Sequence, residues 1–340
     1  MVSALGGLRR KILTPDARQA SLQVRGFPAR NPHAAACLEK PGATFIEGFG
    51  VGAERATAAE TSALLSEIES DRRGFAFEGA GMAMAIRDAL PIGHRHHVAD
   101  FITAAGEHLY MIYVGVGWAL ARLPRALHRA ALTGATDPVL VWLALDGYGF
   151  HQAYFHTDRY VNQQYVDPTP PVVSARHPNY VPHAIDQGIG RAMWFVAGAD
   201  PVTACRMIGE FPADRRPDLF AGLGLAATYA GGATAGELAT LREQAAAYRE
   251  DIGQGATFAA EARARAHIVQ PNTVTAVRVF TGRPVDDASK IAIETRPAEP
   301  TIGGLAGYEV WRQRIRQRCL TGEPPDPTAS ATETTAKAES

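Results

Sequence analysis

The sequence predicts an all-α protein of repeated helical hairpins, curved into an α-solenoid or a toroid-like single domain, with a period of about 34 residues. Three observations predict it. A Gly-x-Gly signature recurs seven times in apolar surroundings, its first glycines at 48, 79, 115, 147, 188, 222 and 253. Two of these segments, DRRGFAFEGAGMAMAI (71–86) and DRRPDLFAGLGLAATYA (214–230), align without a gap through Asp71/Asp214, Phe77/Phe220, Gly79/Gly222 and Gly81/Gly224. Between the glycine segments lie stretches with the capping and spacing of ordinary amphipathic helices.

Residues 1–44 form an N-terminal segment, and the repeat domain spans 45–320. Two glycines inside a helix cost roughly 2 kcal/mol relative to alanine, so a chain that keeps them must recover that cost. Residues i and i+2 of a helix point about 200° apart, so the pair strips both flanks of a single turn. A helix squeezed between the preceding and following units needs close approach on both sides. The alternative is that some of these segments are strands: HLYMIYVGVGW (108–118) is rich in β-formers. Alanine, methionine and endings such as AIRDAL after the glycines favour helix.

The intervening segments read as the outer helices. In TAAETSALLSEIES (57–70), Leu64, Leu65 and Ile68 stand at helical spacing, with Thr61 and Ser62 expected outside. DPVTACRMIGEF (200–211) opens on Asp-Pro, a helix start. TAGELATLREQAAAYRE (234–250) opens on Thr234 with Glu237 three residues on, a capping box. The longest interval between glycine pairs, 147 to 188, contains the Pro-rich VDPTPPVVSARHPNYVP (166–182), an inserted loop. The Pro/Ser/Thr-rich tail 321–340 is expected to be disordered.

Composition narrows the function. Apolar residues make up 46% of the chain and charged ones 20%, with a net charge of −1, so no electrostatic footprint for nucleic acid or an anionic membrane exists. The uncharged run LYMIYVGVGWALA (109–121) is shorter than a spanning helix and reads as buried core. Cys37, Cys205 and Cys319 are isolated, which suits a reducing cytoplasm better than a disulfide framework. No P-loop, HExxH, GxSxG elbow or dinucleotide fingerprint is present, so neither cofactor nor metal is expected.

The polar signal comes from register. Glu47, Glu78 and Asp146 each precede the first glycine of their unit, and Gln187 holds that place in another. Stacked units would bring such side chains onto one wall, where carboxyls among apolar groups mark an acid/base site. The competing reading is that they cap helix starts or pair with arginines such as Arg72, Arg73 and Arg191. DGYGFHQAYFHTDRY (146–160) adds His151 and His156, five residues apart and so unsuited to an i,i+4 metal pair; either could shuttle protons or be a core histidine. HRHH (94–97) reads as a polar loop or helix start. The candidate catalytic set is Glu78, Asp146, His151 and His156. The candidate ligand-binding aromatics are Tyr113, Trp118, Tyr148, Phe150, Tyr154 and Trp194, suited to a flat or polyunsaturated molecule, or to the core.

The strings LRRKILTPD, RGFAFEGAGMAMA, VGVGWALARLP, LALDGYGFHQAYFH, DQGIGRAMWFVAGADP, LFAGLGLAATYAGG and YEVWRQRIR resemble the UnbL-type proteins, a domain-of-unknown-function family encoded beside enediyne polyketide synthases. The resemblance runs from about residue 8 to 318 and carries over no catalytic residues. It implies a role in enediyne biosynthesis: processing the polyene precursor as an isomerase or cyclase, or sheltering it as a carrier. The alternative is a non-catalytic helical-repeat scaffold whose concave surface binds other proteins of the cluster.

Overall fold

A computed structural model describes residues 4–90 and 95–321, and these residues are helical almost throughout. Each glycine segment is one helix: Pro32–Glu54, Arg73–Ala89, Leu109–Arg122, Trp142–Phe155, Val181–Val196, Arg216–Ala230 and Arg249–Arg265, here inner helices 1 to 7. The aligned segments start at equivalent residues, Arg73 and Arg216. The strand alternative fails for 108–118, which is inner helix 3 after one 3-10 turn. An apolar surface on all sides requires burial on all sides, and every residue from Gly74 to Ala89 of inner helix 2 is buried.

Each inner helix packs against its predecessor and its successor, and the glycines account for how. A Cβ built on the first glycine of a pair collides with the preceding helix: Gly115 meets the carbonyl of Glu78, Gly147 that of Val114, Gly188 that of Asp146 and Gly222 that of Gln187. One built on the second collides with the following helix: Gly81 meets Ile112, Gly117 meets Ala144, Gly149 meets Ile185 and Gly190 meets Leu219. Backbone therefore lies against backbone on both flanks, a separation at which a methyl group has no room. The terminal copies differ. Gly48 faces only forward, to Ala76, and in inner helix 7 the backward contact belongs to Gly255, on Ala221, while Gly253 has room.

The outer helices are narrower and amphipathic. Ala58–Ser66 buries Leu65 behind a Thr57 N-cap, whose hydroxyl accepts from the Glu60 amide at 3.2 Å. Contrary to the sequence expectation it also buries Thr61, whose hydroxyl donates to the Thr57 carbonyl, while Leu64 is exposed and Ile68 lies past the helix end. Pro201–Gly209 buries Pro201, Ala204 and Ile208, with Asp200 accepting from the Thr203 amide at 2.7 Å. Ala235–Gln244 buries Leu238 and Leu241 behind a complete Thr234/Glu237 capping box. Asp88, at the end of inner helix 2, accepts from the His97 and Val98 amides at 2.8 and 3.0 Å and so caps the outer helix His97–Ala104. His94 lies outside the described residues; the remainder of HRHH leads into this helix.

Two boundaries differ from the sequence reading. Inner helix 1 is continuous across residues 44 and 45, so the N-terminal segment and the repeat share a helix. The Pro-rich loop keeps only a 3-10 turn at Pro178–Tyr180 before inner helix 5 begins at Val181. The tail beyond Thr321 lies outside the described residues. The chain ends this region with a two-strand hairpin, Thr301–Ile302 and Leu305–Ala306, and the helix Gly307–Thr321. That helix docks on inner helix 7 and plants the fully buried Arg312 against Asp218, the Gln254 side chain (2.9 Å) and the Tyr180 hydroxyl (3.1 Å).

Contacts between elements distant in sequence tie the last units to the early ones. Arg263 of inner helix 7 donates to the carbonyls of Asp71 at 3.0 Å and Tyr229 at 2.7 Å, stacking over the Tyr229 ring. Tyr110 of inner helix 3 donates to Glu261 of inner helix 7 at 3.2 Å.

Gly222 and Gly209 offer a matched test. A methyl at Gly222 strikes Gln187 and Arg191 backbone, whereas one at Gly209, on an outer helix, meets nothing within 4 Å. Gly222→Ala should lower stability by about 1–3 kcal/mol, and Gly209→Ala should leave it unchanged or raise it by up to about 1 kcal/mol. Urea denaturation of the two variants checks this; equal midpoints would remove the close-approach account.

Candidate functional site

The packing that turns glycines toward neighbouring helices turns a different stripe inward. Relative to the first glycine, the residue three positions on lines a shared internal cavity in five consecutive helices: Met82, Trp118, Phe150, Arg191 and Leu225. Seven positions on, Arg122, Tyr154, Phe195 and Tyr229 do the same. One position before, Glu78, Val114 and Asp146 do so. The cavity measures about 110 Å³ and takes lining residues from all seven inner helices and from Trp311.

Its wall is mostly aromatic and aliphatic. Trp118 is the hub, with ring centroids 4.3 Å from Phe45, 5.3 Å from Phe150, 5.5 Å from His151 and 5.9 Å from Phe155. Its indole N–H donates to Glu78 at 2.9 Å. Arg191 forms an ion pair with Asp146, lies 3.9 Å from Glu78, and spreads its guanidinium over the Phe150 ring at 5.1 Å. Two carboxyls thus share one cation in a dry wall. Burial pushes Glu78 up to about 7, while Arg191 and the Trp118 N–H pull it down and Asp146 pushes it up again. Burial likewise raises Asp146 against the pull of Arg191. One guanidinium neutralises one carboxylate, so the second carboxyl, Glu78, keeps a proton close to neutral pH.

His151 is 4% exposed and neither ring nitrogen has a partner. Burial, with a further push from Arg122, depresses it to about 3 against a weaker upward pull from the neighbouring Gln152 side chain. The Gln152 amide gives its N–H groups to the Tyr148 and Tyr160 hydroxyls and makes no hydrogen bond of normal geometry to the ring. A neutral imidazole is left at the cavity. The Tyr229 hydroxyl is also buried without a partner at the wall. Elsewhere on the wall, Glu261 accepts from Ser289 at 2.6 Å as well as from Tyr110.

The structure therefore brings together Glu78, Asp146, His151, Trp118, Phe150 and Tyr154. It does not bring the other candidates to the cavity. His156 is the exposed C-cap of inner helix 4. Tyr113 accepts from the Asp137 amide at 2.9 Å, Tyr148 donates to Asp167 at 2.8 Å, and Trp194 donates to the Gly231 carbonyl at 2.9 Å. All three side chains are thus committed to holding loops. Glu47 is exposed, and Gln187 donates to the Tyr308 hydroxyl at 3.0 Å away from the cavity lining. The row of acids is consequently shorter than the register suggested. Arg191 pairs as the competing reading held; Arg72 instead pairs with Glu69, and Arg73 bonds the Ile68 carbonyl. Sequence reasoning missed Phe45, Met82, Tyr229 and Glu261. Extending the glycine register to its third and seventh positions would have found Met82 and Tyr229. Among the described residues, no group of three His, Cys, Asp or Glu side chains is placed to hold a metal, and no helix is long and apolar enough to cross a membrane.

Residues 4–319 match the family model for the protein of unknown function DUF1702. The chain belongs to this family. No curated protein and no solved structure matches it.

The shared cation makes a measurable stability signature. The folded pKa of Glu78, about 7, lies above its ordinary 4.5. Between these values the unfolded chain binds fewer protons than the folded one, so the Glu78 contribution must fall as pH rises from 4.5 to 7 and stay flat above. The span corresponds to on the order of 3 kcal/mol. Urea unfolding across this range should show that fall in the wild type and a reduced one in Glu78→Gln; coincident pH profiles would mean Glu78 titrates normally.

Proposed function

We propose that this protein takes an apolar, unsaturated small molecule into the cavity and either shelters it or catalyses its isomerisation or cyclisation. The observation that carries the reading is one wall on which a carboxyl near pKa 7, bonded to the indole N–H, and a buried neutral imidazole, set edge-to-face, both contact Trp118. Resemblance to proteins encoded beside enediyne polyketide synthases supports the polyene precursor of an enediyne core as that molecule. The bonds of Arg263 to the Asp71 carbonyl and of Tyr110 to Glu261, which join inner helix 7 to early elements, support a toroid-like course of the inner helices and enclosure rather than an open groove.

The chemistry needs only the chain's own groups. Glu78, protonated near neutral pH, transfers its proton to one carbon of a conjugated system. The carboxylate it leaves is stabilised by the Trp118 N–H and by Arg191. The positive charge on the hydrocarbon is delocalised along the chain and held by the faces of Trp118, Phe45 and Phe150. Loss of a proton from another carbon to neutral His151 ends an isomerisation or cyclisation with no net change in the substrate's atoms. Return of that proton from the imidazolium to the Glu78 carboxylate, directly or through solvent after product leaves, resets the site. Asp146, held by Arg191, keeps that guanidinium beside Glu78.

Filling the cavity tests the reading without removing any polar group. Ala262 lines the wall and is half-buried, so Ala262→Phe should occupy the space while the fold persists. In a host producing the polyene, wild-type protein should co-purify with a conjugated chromophore and Ala262→Phe should lose it at least tenfold. Glu78→Gln should retain the chromophore but leave it unrearranged. A folded Ala262→Phe protein that still carries the chromophore in full would overturn the cavity reading, and a pathway impaired only by surface variants would establish the scaffold instead.

A further inference from the structure

Among the described residues, the cavity has unpaired charge at one end only. Behind Trp118 stand the carboxyls of Glu78 and Asp146, with Arg191 already committed to them. One turn beyond Trp118 on the same helix, Arg122 lines the cavity yet is exposed, so it stands at the opening beside half-buried Pro15, Gln19 and Phe155. Arg25 completes this rim, donating to the Gln19 side chain at 2.7 Å with its guanidinium 4.9 Å from the Phe155 ring centroid. Among the described residues neither arginine has a carboxylate partner. The nearby acids are engaged elsewhere: Glu39 accepts from the Leu22 amide at 2.9 Å, and Asp16 pairs with Arg18. Just inside the rim, the His151 ring lies 4.6 Å from Phe155 with no hydrogen bond made.

An apolar chamber rimmed by two unneutralised guanidiniums, with a buried imidazole free to donate, matches an amphiphile rather than a plain hydrocarbon. A guanidinium fork pairs with a carboxylate more specifically than a point charge does. A carboxylate driven past Trp118 would meet Glu78, Asp146 and a guanidinium already paired with Asp146, so the free positive charge that can hold a head group stands at the rim. We propose that the ligand is an unsaturated chain ending in a carboxylate, bound tail inward with its head on Arg122, Arg25 and the His151 N–H. The proposal rests on the reading of the cavity as an apolar-ligand site and adds the head group and the orientation.

The probes are cis-parinaric acid, a fluorescent conjugated fatty acid, and its methyl ester, titrated into the full chain. The acid should bind at least tenfold more tightly than the ester, with energy transfer from the protein's tryptophans. Arg122→Glu, a change at an exposed side chain, should erase that preference. Arg25→Ala should reduce it. Equal affinity of acid and ester in the wild type, or a preference undiminished in both arginine variants, would overturn the head-group assignment while the cavity reading stands. Failure of both probes to bind would remove the cavity reading and this one with it.

Discussion

Backbone laid against backbone is the contact on which this molecule depends. Wherever an inner helix crosses the next, a glycine of one faces a carbonyl of the other, and no side chain intervenes. Glycine is a poor helix former, so such a pair is tolerable only where neighbours on both flanks convert the lost propensity into packing. The consequence reaches beyond the crossings. With positions 0 and +2 of each unit given to neighbours, the remaining face at −1, +3 and +7 is the one that can point to the interior. The same residues that set helix spacing therefore choose which side chains meet in the cavity.

What meets there is unusual for an apolar interior. Burying an ion costs several kcal/mol unless it is paired, and here two carboxyls share a single guanidinium. The arrangement leaves a proton that binds near neutral pH at Glu78, and the Trp118 N–H fixes which oxygen faces the ring. Arg312 is the contrasting case. Equally buried, it is surrounded by Asp218, Glu309, Gln254 and the Tyr180 hydroxyl, none of which lines the cavity. Its partners lie on the 3-10 turn before inner helix 5, on inner helices 6 and 7 and on the C-terminal helix, so it serves as a structural clamp.

Much of the fold was legible because glycine pairs and caps are local signals. Thr234/Glu237, Asp200-Pro201 and the pairs at Gly79 and Gly222 each announce an element within a few residues. The cavity was half legible. Glu78, Asp146 and Trp118 lie at fixed offsets from glycines, whereas whether an aromatic faces the cavity or a loop depends on contacts the chain makes far away. Tyr148 and Phe150 are two residues apart, yet one reaches Asp167 in the inserted loop and the other the cavity. The exposure of His156 follows from the end of inner helix 4 at Phe155, a boundary no cap residue marks. Arg263 and Glu261 were invisible as site-builders because their partners are 192 and 151 residues distant.

Those long-distance bonds have a bearing on how the molecule forms and comes apart. Contacts between successive inner helices join segments close in sequence, so the stack can grow unit by unit with little loop-closure cost. The Arg263 bond to the Asp71 carbonyl spans 192 residues and is made only when both ends of the stack exist. A contact formed that late contributes to the unfolding barrier and hardly at all to the rate of assembly. A bond of that span is placed to act as a latch, one that would lengthen the lifetime of a finished molecule without hastening its construction.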